Sequence, residues 1–166
     1  KGINMPPRIS LLLPSRGREK LVERLFASIV STTTDLHSIE VILYLDDDDL
    51  NSHYLDSDDF SVTKIIGNQD SMGAYNVACL SKARGDIIIL INDDLVFRTV
   101  GWDEKVIAMD ARFSDKIYLA YTNDLFKKAW CSFPILSRKT CTELINPYPV
   151  EYKGAFIDTH LYDVFK

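Results

Sequence analysis

The 166-residue sequence has little cysteine, and its cysteines do not form the pattern of a disulfide framework or a zinc site. There are three of them, Cys79, Cys131 and Cys141, an odd number without the paired spacing of zinc ligands. Cys79 and Cys141 fall in stretches with a helical pattern. We therefore predict buried or semi-buried free thiols in a reducing compartment.

Long hydrophobic runs are also lacking. No run approaches the roughly 18 apolar residues that a membrane-spanning helix needs, and no signal peptide is recognisable. We therefore predict a cytoplasmic protein without a transmembrane segment. The chain begins at Lys1 rather than Met and ends at Lys166 inside a helical pattern, so we expect part of a longer protein. Missing flanks leave a peripheral association with a membrane open.

Basic residues are outnumbered, with 19 Lys and Arg against 24 Asp and Glu, a formal net charge of −5. Proteins that bind nucleic acid usually present a basic surface, so we predict no nucleic-acid partner. An acidic protein can still bind a diphosphate if a metal ion supplies the positive charge.

Apolar runs alternate with helical patterns along the chain. Residues 9–13, 39–45 and 87–91 read as buried strands, and residues 18–30 carry the apolar stripe of a helix. This alternation predicts one α/β domain over residues 1–166, with a mainly parallel, Rossmann-like sheet and helices on both faces. Further short strands are predicted at 63–66 and 117–121, and helices at 71–84, 103–112, 137–144 and 158–166.

Polar residues gather where three of the predicted strands end, and ligands bind at the carboxyl ends of such strands. The segments are Pro14-Ser15-Arg16, the four aspartates 46–49, and Asn92-Asp93-Asp94. Carboxylates beside an amide offer the hard oxygen ligands that Mg²⁺ and Mn²⁺ prefer, and a carboxylate can accept the N–H of a uracil or guanine ring. The alternative is that both acidic segments are solvated turns.

Five ordered blocks together resemble the GT-A glycosyltransferases, particularly the large inverting group that includes the cellulose-synthase and spore-coat enzymes. The blocks are ISLLLPSR at 9–16, ILYLDD at 42–47, GAYN at 73–76, ARGD at 83–86 and ILINDD at 89–94. The resemblance covers almost the whole chain and implies a GT-A fold, with a C-terminal acceptor-side flank that is short or absent.

The resemblance also implies the residues that contact a nucleotide sugar. Asp46 matches the aspartate that bonds the base, with Asp47 as the competing assignment, and Asn92 stands where the family has its first aspartate, facing the ribose. Arg84 is a candidate diphosphate contact, or alternatively an exposed helix-end arginine. The other implied contacts are Pro14, Ser15, Arg16, Gly73, Asn76 and Asp93.

A divalent metal, Mn²⁺ or Mg²⁺, is implied with Asp94 as the preferred protein ligand and Asp93 as the alternative. His160 is a candidate third ligand, against the alternative of a structural or surface histidine. The amide of Asn92 is a poorer metal ligand than the family's aspartate, which places the geometry of the metal site in question.

The resemblance implies that Asp158 is the general base of an inverting transfer, with a helix N-cap as the alternative role and Asp163 as the alternative base. Trp130 is the favoured aromatic contact for a sugar acceptor, whereas Trp102 and Phe133 are predicted to be core residues.

The sequence thus predicts a metal-dependent hexosyltransferase that moves a sugar from a nucleoside diphosphate sugar, with UDP favoured, to a hydroxyl of a glycan, lipid or protein, as in polysaccharide biosynthesis. One alternative is a non-catalytic relative that binds a nucleotide or glycan. The other is a metal-dependent nucleotidyltransferase.

Overall fold

The structure is a computed structural model, and it describes residues 6–123, 125, 131–154 and 156–166. Strands and helices alternate along most of the chain, as the sequence predicts. The elements are β1 (Ile9–Ser15), α1 (Glu19–Thr32), β2 (Ile39–Asp46), β3 (Ser61–Gly67), α2 (Met72–Lys82), β4 (Ile87–Leu90), α3 (Trp102–Asp110), β5 (Leu119–Thr122), β6 (Ser132–Ser137), α4 (Arg138–Glu143) and α5 (Ile157–Val164).

The six strands form one sheet in the order β3-β2-β1-β4-β6-β5. Strands β1 to β4 are parallel to their neighbours, whereas β6 is antiparallel to both β4 and β5. From β1 the chain proceeds to β2 and β3 on one side and returns to β4 on the other. The carboxyl ends of β1 and β4 therefore flank a topological switch point, where open α/β sheets bind ligands.

Helices cover both faces of the sheet, as predicted. Along β1, Leu11 and Leu13 belong to the hydrophobic layer under α1 and α3, whereas Leu12 belongs to the layer under α2, α4 and α5. Every residue of β2 is buried. Burial on both faces explains why these strands read as continuous apolar runs rather than alternating ones.

Two predicted helix starts are confirmed by capping bonds. Ser71 Oγ accepts a hydrogen bond from Ala74 N at 3.1 Å, and Ser137 Oγ accepts one from Thr140 N at 2.9 Å. The three cysteines are buried and free, as predicted. In the described part of the chain, no helix is both long and apolar enough to cross a membrane.

Strand β6 was not predicted from the sequence. Pro134 interrupts the strand pattern because it has no N–H to donate. The register between β5 and β6 shifts at Tyr121 and Thr122, which pair with Pro134 and Ser132. Phe133 lies in the resulting bulge with φ = 52°.

Candidate functional site

A cavity of about 580 Å³ lies at the switch point, bounded by the carboxyl ends of β1 and β4 and by residues of α2, β6 and α5. Most of the predicted site residues line it together. They are Pro14, Ser15, Arg16, Asn76, Asn92, Asp93, Asp94 and Asp158. The structure thus brings the predicted base and the acidic strand end into one space.

Asp93 is the buried member of the acidic strand end, with a side chain 8% exposed. Its Oδ2 accepts a hydrogen bond from Ser15 Oγ at 2.8 Å, and its Oδ1 accepts one from Arg18 Nη1 at 3.1 Å. Both carboxylate oxygens therefore have partners within the chain, and Asp93 ties the end of β4 to the turn after β1.

Asn92 and Asp94 are exposed on either side of Asp93. The backbone carbonyl of Asp94 accepts a hydrogen bond from Arg24 Nη2 at 3.0 Å, which fixes the backbone next to the cavity. The Asp94 carboxylate remains at the cavity wall, where an incoming group can reach it.

Asp46 is 2% exposed and does not line the cavity, but two lining residues bind it. Arg16 Nη1 donates to its Oδ2 at 2.5 Å, and Tyr75 Oη donates to its Oδ1 at 2.8 Å. Arg16 also makes a bidentate contact with Asp48 at 2.8 and 2.9 Å. The hydrogen bonds to Asp48, as the larger cause, and to Asp46 raise the pKa of the Arg16 guanidinium. Arg16 therefore stays charged and paired with these two carboxylates.

Asp47, the competing assignment for the base contact, is exposed, and its backbone N–H donates to Gly67 O at 2.8 Å. Neither Asp46 nor Asp47 faces the cavity directly. Contact of either aspartate with a base therefore stays a prediction, and for Asp46 it requires Arg16 to move.

Asn76 is 2% exposed and lines the cavity from the first turns of α2. Its Nδ2 donates to Met72 O at 3.0 Å, whereas its buried Oδ1 has no hydrogen-bond partner. A buried acceptor without a partner costs about 1–3 kcal/mol. A ligand that donates a hydrogen bond to this oxygen would remove that cost.

Asp158 is the second residue of α5 rather than its N-cap, which is Phe156. Its Oδ1 accepts a hydrogen bond from Thr159 N at 2.8 Å. The alternative interpretation of Asp158 as the N-cap is therefore wrong. Burial, followed by the nearby Asp158 charge, raises the pKa of the Cys131 thiol to about 11.

Two phenylalanines on the cavity wall have left-handed backbone conformations, Phe133 with φ = 52° and Phe156 with φ = 76°. Such conformations cost about 1–3 kcal/mol in residues other than glycine and cluster at functional sites. Phe133 is half-buried at the cavity and not a core residue, contrary to the prediction. Trp102 is a core residue, 6% exposed, as predicted. Trp130 lies outside the described residues.

Arg84 is placed at the opposite edge of the sheet. Its Nε donates to Glu40 Oε2 at 2.8 Å, and Glu40 is near the amino end of β2. This position contradicts the predicted diphosphate contact and agrees with the alternative of a helix-end arginine.

Gly73 and His160 also lie away from the cavity wall. A Cβ on Gly73 would stand 2.0 Å from Pro149 O, so Gly73 serves close packing of α2 on the backbone of a later segment. His160 Nδ1 is 3.3 Å from Tyr152 Oη. The structure therefore does not bring either residue to the predicted site.

The predicted set of three metal ligands is thus not assembled. Asp93 is engaged by Ser15 and Arg18, and His160 does not line the cavity. Within the described ranges, no three His, Cys, Asp or Glu side chains are grouped closely enough to hold a metal ion. Asp94 alone fits a metal that takes its remaining ligands from substrate phosphates and water.

Sequence reasoning missed Arg18, Tyr75 and Phe156, all of which line the cavity. Arg18 could have been found, because it follows β1 in the same turn as Arg16 and the carboxyl edge was already the expected site. Tyr75 lies inside the GAYN block at 73–76, next to Asn76. No sequence signal indicates Phe156.

Comparison with family models finds no match, and comparison with curated proteins finds none either. Among solved structures, TarS 1–349 from S. aureus is similar with a TM-score of 0.65 at 16% identity, over 91% of this chain and 53% of that one. Its complex with UDP-GlcNAc gives a TM-score of 0.64 at 14% identity, over 83% and 47%.

The mannosyltransferase PcManGT from Pyrobaculum calidifontis, in complex with GDP-Man and Mn²⁺, has a TM-score of 0.65 at 14% identity, over 84% of this chain and 47% of that one. The chain spans about half the length of these proteins. The likeness in architecture, together with the parallel sheet and its flanking helices, shows that this chain has the GT-A fold.

Proposed function

We propose that this chain binds a nucleoside diphosphate sugar and transfers the sugar to a hydroxyl group of an acceptor. One observation carries the proposal: Asp158 and the Asn92-Asp93-Asp94 strand end line the same cavity at the switch point of a GT-A fold. That arrangement allows a base and a diphosphate-binding end to act on one substrate.

The nucleoside end of the donor is proposed to lie against Pro14, Ser15 and Asn76. The unpartnered Oδ1 of Asn76 is available to accept from a ribose hydroxyl or a base N–H. Asp46 can accept the N–H of a uracil or guanine ring once Arg16 releases it, and we retain UDP as the favoured carrier. The exposed Asn92 amide remains a proposed ribose contact.

In the proposed reaction, the Asp158 carboxylate takes the proton of the acceptor hydroxyl as its oxygen attacks the anomeric carbon. The bond between that carbon and the diphosphate oxygen breaks, and the nucleoside diphosphate leaves with the bonding electrons. Attack from the side opposite the leaving group inverts the configuration. When bound at Asp94, a divalent metal would neutralise charge on the diphosphate.

The competing candidate is a non-catalytic nucleotide-binding relative. Two observations favour it: an amide stands at position 92, and both oxygens of Asp93 are already engaged within the chain. The same cavity would then bind a nucleotide sugar without turning it over.

Release of nucleoside diphosphate from UDP-GlcNAc and GDP-Man, measured with and without Mn²⁺, separates the two candidates. We expect Asp158→Asn to lower kcat by about 10²–10⁴-fold, the usual contribution of a general base, with little change in UDP affinity. Asp163→Asn is the matched control, because Asp163, the alternative base, does not line the cavity and pairs with Lys166 on the exposed side of the same helix. Nucleotide binding without turnover in the unaltered chain would favour the non-catalytic candidate, and absence of binding would contradict both.

A further inference from the structure

Arg18 has no role in the predicted site, yet it lines the cavity at the start of α1. Its side chain is 57% exposed and contacts Asp93 through Nη1. A guanidinium carries five N–H donors, so this bond leaves most of its donors open to the cavity. Asp93 is buried and held by Ser15, so it anchors one edge of the Arg18 side chain.

The charges around the cavity make Arg18 the available cation. Among the residues that the structure describes, Asp93, Asp94 and Asp158 line the wall together with two cationic side chains, Arg16 and Arg18. Arg16 is bound to two carboxylates outside the cavity, with a bidentate contact to one of them. Arg16 makes three hydrogen bonds to carboxylates and Arg18 makes one, so Arg18 has the larger number of donors left for a ligand.

The pairing also restricts what Asp93 can do. A metal ion could coordinate Asp93 only by displacing the hydrogen bonds from Ser15 and Arg18, which occupy different carboxylate oxygens. While Arg18 remains in place, its guanidinium supplies the positive charge that a metal ion bound to Asp93 would otherwise supply there. Arginine suits this role because its planar fork matches phosphate oxygens in a bidentate geometry.

We propose that Arg18, oriented by Asp93, binds the diphosphate of the donor and allows the nucleotide to bind without a metal ion at Asp93. This inference rests on the proposed function, since it assigns a residue to the donor diphosphate. If Arg18 binds the diphosphate, the nucleotide needs no metal ion for binding. A metal ion would then be needed only for the transfer step, and Asp94 is the carboxylate that remains open to it.

The test compares calorimetric binding of UDP and GDP with that of uridine and guanosine, in EDTA and in Mn²⁺. In EDTA we expect the unaltered chain to bind one of the diphosphates more tightly than its nucleoside. Arg18→Gln should weaken the binding of that diphosphate by about 10–100-fold, the range for a lost charge-assisted hydrogen bond. It should leave the affinity for the nucleoside unchanged. Lys20→Gln is the matched control, because Lys20 is an exposed cation near the start of the same helix.

The double variant Arg18→Gln with Asp93→Asn guards against misfolding, because it removes both charges of the pair, in which Asp93 is the buried member. It should show the same loss of diphosphate affinity with a near-normal unfolding midpoint. Equal affinity of the unaltered chain and Arg18→Gln for the diphosphate that binds, or binding that requires Mn²⁺ in the unaltered chain, would overturn the assignment of Arg18 alone. Absence of binding for every nucleotide and nucleoside would contradict the proposed function as well.

Discussion

Glu40 is a charged residue with no exposure to solvent, and its carboxylate explains the local structure at the amino edge of the sheet. It accepts hydrogen bonds from Ser10 Oγ at 2.7 Å, Arg84 N at 2.6 Å and Arg84 Nε at 2.8 Å. Ser10 Oγ in turn accepts from Gly85 N at 2.8 Å. A buried carboxylate needs such partners, so Glu40 fixes the segment between α2 and β4.

Replacing Glu40 with alanine is expected to lower the free energy of unfolding by about 2–4 kcal/mol, because the buried Ser10 hydroxyl and two N–H groups of Arg84 lose their acceptor. Urea unfolding followed by circular dichroism measures this. Glu151→Ala, at an exposed position, should change stability by less than about 0.5 kcal/mol. A loss at Glu40 no larger than at Glu151 would show that the network contributes nothing.

The three thiols are a second case in which burial decides chemistry. Burial raises the pKa of the Cys79 thiol to about 12. It raises the pKa of Cys141 and of Cys131 to about 11. A higher pKa lowers the fraction of reactive thiolate at pH 8, from about a quarter for an ordinary thiol to about one in a thousand for Cys131 and Cys141 and about one in ten thousand for Cys79.

We therefore expect iodoacetamide at pH 8 to leave all three cysteines of the folded protein unmodified over minutes, and to modify all three in denaturant. Intact-mass spectrometry gives the count. Modification of the native protein should also speed up as the pH rises from 8 to 10, since the thiolate fraction increases about tenfold per unit. Fast labelling of the native protein at pH 8 would contradict burial of the labelled thiol.

At the scale of elements, the start of α2 is bound to the segment that leads into α5. Met72 N donates to Lys153 O at 3.2 Å, Gly73 N donates to Tyr152 O at 3.1 Å, and Ser71 Oγ donates to Val150 O at 2.6 Å. The first turn of α2 thus satisfies its free N–H groups with backbone carbonyls. This contact positions the two elements that carry Asn76 and Asp158.

Gly73→Ala is expected to destabilise the protein by about 1–3 kcal/mol, the usual cost of overpacking. The added Cβ would clash with the carbonyl oxygen of Pro149, and relieving the clash requires a shift of the backbone. Thermal unfolding without ligand measures the effect. Gly154→Ala is the control, since a Cβ there meets nothing within 4 Å. A stable Gly73→Ala protein with weakened UDP binding would instead restore the predicted nucleotide contact.

The elements also show what the sequence could predict. Strands β1, β2 and β4 were predicted close to their bounds, because burial on both faces leaves a largely apolar run, with Ser10 and Glu40 as the polar members. Strand β6 was missed because it pairs antiparallel between β4 and β5 and contains Pro134, so neither alternation nor a continuous run marks it. Pairing with distant partners, rather than local pattern, determines that strand.

The same distinction applies to the site. The carboxyl-edge rule indicated Asp93, the resemblance implied Asp158, and both line the cavity. Arg84 was misplaced because a sequence motif does not show which edge of the sheet a helix end reaches, and the buried Glu40 holds it at the amino edge. The bond between Arg18 and Asp93 joins residues 75 positions apart, and no local pattern indicates it.

At the scale of the whole molecule, the cavity depends on both hydrophobic layers. Arg18 begins α1, which packs on one face of the sheet, whereas Asn76 and Asp158 belong to α2 and α5 on the other face. The central strands contribute side chains to both layers. We therefore expect the layers to unfold together, because loss of either one exposes the strands that support the other.

Leu161→Ala tests this coupling from the C-terminal helix. Leu161 is fully buried in the layer under α5, so truncation should cost about 2–5 kcal/mol. Trp102 belongs to the opposite layer, and replacing Trp130 with phenylalanine leaves it as the single tryptophan reporter. The urea midpoints from Trp102 fluorescence and from circular dichroism should fall together by the same amount.

Val164→Ala is the matched control on the same helix, because Val164 is 50% exposed and its truncation should cost less than about 0.5 kcal/mol. If Leu161→Ala lowered the circular dichroism midpoint and left the Trp102 transition unchanged, α5 would unfold apart from the sheet. Asp158 would then occupy a separately mobile element, and the cavity would form only while that helix is docked. A common shift instead means that the global stability of the domain holds Asp158 at the cavity that Asp93 also lines.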